Sequence, residues 1–152
     1  MEEDETGDPA AVAELNARRK ASAIRSHPPD LVLGADTVVA LDGDILGKPR
    51  DATQAREYVG RLNGRTHEVV GGIALARAGA IVATAVEVTR VTFRRSDDAA
   101  LDRYVETGEW DGRAGGYAIQ GEGAALVAAV DGDYLNVVGL PLARLQDLLK
   151  AR

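Results

Sequence analysis

The stretch LGADTVVALDGDILGKPRD, residues 33–51, decides how the chain folds. Its first half is a run of branched apolar residues of strand type, and Asp42-Gly43-Asp44 is a tight-turn signal. Ile45-Leu46-Gly47-Lys48-Pro49 then returns, so the whole reads as a hairpin-like excursion. Two residues are out of place in a strand bound for a core. Asp36 and Thr37 interrupt the apolar run, and a buried carboxylate is costly without solvent, hydrogen-bond partners or a cation. Lys48 stands at the far end of the return. A hairpin can carry it back toward Asp36, pairing a group that activates water or binds a cation with one that neutralises phosphate oxygens. Taken singly, each residue has a plainer reading: a carboxylate capping a backbone turn, and a surface lysine.

Upstream of this stretch, Asp8 and Pro9 read as the N-cap and first residue of a helix whose apolar positions are Val12, Leu15 and Ile24. His27-Pro28-Pro29-Asp30 ends it, because proline cannot continue the ladder. Downstream, Ala55, Tyr58, Val59 and Leu62 fall at helical spacing and Asn63-Gly64-Arg65 closes that helix. Two β-rich runs follow, residues 66–76 and 80–93, expected to pair as long antiparallel neighbours with Val86, Val88 and Val91 on the buried face. Ser96, Asp97 and Asp98 cap a helix bearing Leu101, Tyr104 and Val105, stopped at Gly108. Residues 124–140 read as another strand pair about a second Asp-Gly-Asp turn, and Pro141 opens a terminal helix. The pattern predicts an α/β, mixed α+β, class. Strict Rossmann topology is excluded, because strands come in pairs rather than alternating singly with helices.

At 152 residues the chain fits a single domain spanning 1–152, with an aliphatic core because aromatics supply only 4%. No apolar run reaches the roughly 18 residues of a membrane span, and the start MEEDETGD reverses the layout of a secretory signal. A cytoplasmic protein is expected. The absence of cysteine excludes disulfides, thiolate zinc sites and a cysteine nucleophile, and His27 and His67 are too far apart to suggest a histidine metal cluster. A net charge of −6 argues against non-specific nucleic-acid binding but leaves room for a small anion held by a few local donors.

The second unusual stretch is EWDGRAGGYAIQGEG, residues 109–123, whose backbone is shaped by glycine. It follows no clear strand and opens no helix, so it fails as a dinucleotide-binding fingerprint, and no Walker A loop is present. Gln120 offers an amide that could read a nucleobase or simply satisfy its own loop. Arg113 and Tyr117 are candidates for phosphate binding and stacking, with an exposed salt bridge and a core tyrosine as the simpler readings. Glu2, Glu3, Asp4 and Glu5 form a solvated charge run, one carboxylate of which is a candidate ligand for a divalent cation.

Four ordered segments, GADTVVALDGDILGKPRD (34–51), LNGRTHEVVGGIAL (62–75), GEWDGRAGGYAIQGEGA (108–124) and NVVGLPL (136–142), together resemble the Maf family of nucleoside triphosphate pyrophosphatases. The resemblance runs over nearly the whole chain. It implies a Maf/inosine-triphosphatase-like fold, with a largely antiparallel or mixed sheet flanked by helices, and attack of water on the α-phosphorus of a nucleoside triphosphate. By motif, Asp36 would be the proton acceptor or metal-proximal carboxylate, Lys48 would stabilise phosphate charge, and Thr37 and Gln120 would govern substrate choice. The metal would be Mg²⁺ or Mn²⁺, with Glu2 or Glu3 joining Asp36 as ligand, and the assembly a homodimer. AGGYAIQG is similar to the branch acting on dTTP and UTP rather than the branch acting on 7-methyl-GTP.

One feature of the family has no counterpart here: an opening strand and a Ser-x-Ser-Pro-Arg-Arg loop before the first helix. An N-terminally truncated member is therefore expected, a start placed too late being the favoured reading over a chain cut short or a degenerate member. Because an arginine fork supplies directed donors to phosphate, its loss supports an alternative: a catalytically impaired nucleotide-binding or regulatory protein linked to septum formation.

Overall fold

The computed structural model describes residues 5–24 and 30–151. Its centre is a five-stranded sheet, β1 (Leu31–Leu41), β2 (Asp44–Leu46), β3 (Thr66–Arg77), β4 (Ala80–Phe93) and β5 (Val127–Asp131), in the order β2-β1-β3-β4-β5. Every pairing is antiparallel. The opening hairpin forms as expected: Asp42 and Gly43 both take positive φ, 51° and 83°, which is the backbone a two-residue hairpin turn requires. Ala78 and Gly79 repeat that geometry between β3 and β4.

One helix lies on one face of the sheet and the remainder on the other. Helix α1 (Pro9–Ala23) begins at Asp8, whose carboxylate accepts from the Ala11 amide. Its buried residues are Val12, Ala13, Asn16, Ala17 and Ala21, whereas Leu15 and Ile24 are exposed. The expected Leu15 and Ile24 face is thus corrected: α1 packs through its small residues. The sheet supplies the reason, since a methyl group on Gly34 or Gly72 would overlap the α1 backbone at Ala13, Ala17 and Ala21. Glycine on the sheet and alanine on the helix let the two backbones touch. Of the expected His27-to-Asp30 stop, residues 27–29 lie outside the described residues.

On the opposite face, α2 (Ala52–Leu62) and α3 (Asp98–Glu106) close the main core over Val39, Leu41, Val69, Val91 and Phe93. Asp51 and Asp97 cap them through the amides of Gln54 and Ala100. On β4 Val91 is buried as expected, sharing its face with Thr89 and Phe93, and Val86 packs partly buried against Val12, Val38 and Val70 on the other face; Val88 is exposed, which corrects its expected burial. The polar residue is inside because Thr89 donates to the Asp133 carbonyl and accepts from Asn136.

The second Asp-Gly-Asp segment also departs from expectation. Only β5 precedes it; afterwards Asp133 caps a short helix, α4 (Tyr134–Val138), by accepting from Leu135. Helical capping by Asp133 and the burial of Asn136 outweigh the β propensity of Val137 and Val138. Helix α5 (Leu142–Lys150) then follows Pro141 and seats Leu145 against Ile73 and Leu75. Among the described residues, no helix is long and apolar enough to cross a membrane.

Candidate functional site

Strand β2 is three residues long and pairs only with Val39, Ala40 and Leu41. The edge of β1 at residues 35–37 therefore borders a cleft rather than another strand, and this cleft has a volume of about 230 Å³. It is lined by Lys20, Asp36, Thr37, Lys48, Arg113 and Gln120 over a floor that includes Val39, Val69 and Ile119. The four described residues to which the motifs assign roles, Asp36, Thr37, Lys48 and Gln120, thus line one cleft. Glu2 and Glu3 lie outside the described residues.

Asp36 is buried, with 3% of its side chain exposed. Its burial is compensated from α1: Asn16 Nδ2 donates to Oδ2 at 3.0 Å, and Lys20 Nζ donates to Oδ1 at 3.2 Å. The same ammonium reaches the Ala35 carbonyl at 3.2 Å. Asn16 and Lys20 are four residues apart, hence on one helical face, and they flank the Ala13, Ala17 and Ala21 row that is seated on Gly34 and Gly72. Gly72 is the cross-strand partner of Asp36, so the close approach of α1 is what brings the two donors within reach. Neither Asn16 nor Lys20 was singled out by sequence. The signal was there: Val12, Asn16 and Lys20 repeat every four residues, which puts two polar groups on the helix face that Val12 buries.

Lys48 follows the β2 return on an exposed position and joins Asp36 in lining a small adjoining recess with Glu5. The hairpin does bring Lys48 into the same cleft, but among the described residues it is Lys20 whose ammonium is paired with the carboxylate. Gly47, beside it, accepts the Gly115 amide at 3.1 Å, tying the return to the glycine-rich segment. Gly112, Gly115 and Gly116 take φ of 73°, 71° and 82°, a backbone other residues rarely adopt.

That segment carries Tyr117 inward and Gln120 outward. Tyr117 is a core tyrosine: its hydroxyl lies 2.6 Å from His67 Nε2, and the two rings pack edge-on with Phe93. Burial pushes His67 down to about 4 and raises the Tyr117 phenol, so the pair is neutral near pH 7. Arg113 is exposed on the cleft wall, and among the described residues it forms no ion pair, the simpler of the two readings given for it. The remaining wall is Val137, Val138 and Gly139, held by Asn136, whose Nδ2 donates to Val69 and Glu87 carbonyls and to Thr89 Oγ1, each at 3.1 Å. A side chain at Gly71 would collide with that amide, so the fourth sequence segment depends on the second.

Residues 1–152 match the family described as Maf-like protein. The chain belongs to the Maf family. Among curated Maf relatives, the dTTP/UTP pyrophosphatase of Symbiobacterium thermophilum is 49% identical over 142 residues, covering 93% of this chain and 73% of that protein. The dTTP/UTP pyrophosphatase of Pyrococcus furiosus is 46% identical over 136 residues, or 89% and 71%. That of Pelotomaculum thermopropionicum is 48% identical over 144 residues, or 93% and 75%. The antiparallel sheet flanked by helices agrees with the fold expected of a Maf protein.

Among the described residues, no three His, Asp or Glu side chains gather into a cage for a metal. Asp36 and Glu5 nonetheless line one recess, and one or two carboxylates completed by phosphate oxygens and water are the usual provision for Mg²⁺. The residues fit a cation that arrives with a phosphorylated ligand.

Proposed function

We propose that the cleft binds dTTP or UTP and hydrolyses it to the monophosphate and pyrophosphate. The observation that carries this reading is a buried carboxylate, fixed by an ammonium and an amide, in a cleft that also presents Lys48, Arg113 and Gln120. An acidic protein that gathers three cations and one buried carboxylate in a single cleft is built for a small anion, and its dTTP/UTP pyrophosphatase relatives fit a nucleoside triphosphate.

In this reading, Asp36 orients a water molecule and receives its proton as oxygen bonds to the α-phosphorus. The bond from that phosphorus to the bridging oxygen breaks, and pyrophosphate leaves. Lys48, Lys20 and Arg113 oppose the charge on the phosphate oxygens. Thr37 and Gln120 meet the base, Gln120 through one donor and one acceptor. Asp36 and Glu5 are the described carboxylates that would hold Mg²⁺ or Mn²⁺, which when bound offsets triphosphate charge. Residues 1–152 act as one unit in this proposal, as a cytoplasmic homodimer, and light scattering after gel filtration tests the assembly.

The direct experiment is pyrophosphate release from dTTP, UTP, dCTP and 7-methyl-GTP, with and without Mg²⁺. Cation-dependent release from dTTP and UTP, well above that from 7-methyl-GTP, is expected. No release from any triphosphate by a folded chain would overturn the reading.

A further inference from the structure

Gln120 is exposed on a loop with no ladder of its own, yet the backbone on both sides of it is tied, directly or through Tyr104, to one carboxylate. Glu109 Oε2 accepts the Glu122 amide at 2.9 Å, and Oε1 accepts the Gly123 amide at 3.0 Å and the Tyr104 hydroxyl at 2.9 Å. Tyr104 in turn accepts the Ala118 amide at 3.0 Å. The chain is therefore gripped at 118 on one side of Gln120 and at 122 and 123 on the other. Gly121 has an ordinary φ of −105°, so its need is spatial: a Cβ there would fall on the Glu109 carboxylate. Glu109 is itself steadied by its own amide on Thr107 Oγ1, and Thr107 by the Tyr104 carbonyl.

We infer that Glu109, acting through Tyr104 and the 118–123 backbone, is the positioning residue that sets Gln120 for selection of the base. The inference rests on the proposed triphosphate reading of the cleft. An amide with a donor and an acceptor discriminates only while its orientation is held, and nothing in the side chain of Gln120 supplies that. Burial alone would raise the Glu109 carboxyl, but the two amides, the Tyr104 hydroxyl and the Arg113 charge together hold it below its usual range. The carboxylate is thus the acceptor form at neutral pH, and it connects the base-reading loop to a cation on the cleft wall.

The test uses the full chain as Glu109→Ala, Glu109→Gln and Gly121→Ala, with melting curves to establish folding. Two readouts are taken: amide hydrogen exchange at Ala118, Glu122 and Gly123, and kcat and KM for dTTP, UTP and dCTP. In Glu109→Ala the three amides should exchange at least about tenfold faster while those of β3 are unchanged, as expected for local loss of charge-assisted bonds. KM for dTTP and UTP should rise about tenfold with kcat changed less than about threefold, and the preference over dCTP should narrow. Glu109→Gln should fall between, and Gly121→Ala should follow Glu109→Ala. Unchanged exchange and unchanged KM in a folded Glu109→Ala protein would overturn the inference, as would a fall in kcat at constant KM. If the unaltered chain releases no pyrophosphate from any triphosphate, the functional reading fails on that arm, and exchange alone decides whether Glu109 holds the loop.

Discussion

Asp36 lies in the middle of an eleven-residue strand, and Gln120 on a loop of glycines, yet both line the same cleft. On the Asp36 side, regular structure does the positioning: the β1–β3 ladder fixes the backbone, and donors four residues apart on α1 fix the carboxylate oxygens. On the Gln120 side, no ladder exists, and a partly buried carboxylate with a tyrosine collects the loose amides instead. The difference teaches that the invariant part of the proposed chemistry, water and phosphate, rests on the most rigid element. The part that chooses among bases rests on an element that small substitutions can retune.

That contrast can be broken most severely at the sheet. Gly72→Ala puts a methyl group into the Ala13 backbone, so α1 must lift and its two donors leave Asp36. A stability loss of about 3 kcal/mol, at the upper end for overpacking, is expected in denaturant titration, together with loss of turnover.

Acidification strikes the loop side at comparable size. His67 is neutral in the folded protein down to about 4, whereas in the unfolded chain it takes up a proton near 6.5. The unfolded state then binds more protons, so stability falls as pH drops through that window, by on the order of 3 kcal/mol. Glu109 adds to the loss at lower pH: its lowered carboxyl stabilises the fold above the unfolded value and ceases to as it protonates. Denaturant midpoints at pH 7 and pH 4.5 check this, and His67→Gln should flatten the upper part of the profile.

The two sides should also separate kinetically. Lys20→Met removes the cation from Asp36 and is expected to lower kcat about a hundredfold, the usual cost of losing one electrostatic donor, with a smaller change in base preference. Substitutions at Glu109 should do the reverse. The smallest effect belongs to Arg56→Ala, which breaks exposed ion pairs to Asp98 and Asp102 between α2 and α3; a stability change under about 1 kcal/mol and unaltered turnover are expected.

Much of this was legible in the residues. The Asp42-Gly43-Asp44 turn, the paired long strands and the caps at Asp8 and Asp97 are local signals, each read by neighbours in sequence and each found in place. The cleft residues Asp36, Thr37, Lys48 and Gln120 were legible because polar groups within apolar or glycine-rich runs stand out. What escaped was tertiary. The burial of Ala13, Ala17 and Ala21 in place of Leu15 depends on glycines in β1 and β3, which no helical pattern contains. The helix at Tyr134–Val138 reads as a strand from its valines alone, because what decides it is the cap at Asp133. Glu109 looked like the edge of a loop, since its partners arrive from residues 104, 122 and 123 only when the glycines fold the chain back.

Whether Asp36 performs the chemistry of the cleft is tested most directly by Asp36→Asn, because the amide keeps the shape and its oxygen can still accept from either Lys20 or Asn16. Pyrophosphate release from dTTP and UTP would be measured for both proteins, alongside binding of dTTP and a melting curve. A folded, dTTP-binding variant whose turnover falls by about a hundredfold or more is expected. Turnover within about threefold of the unaltered chain would contradict that role of Asp36.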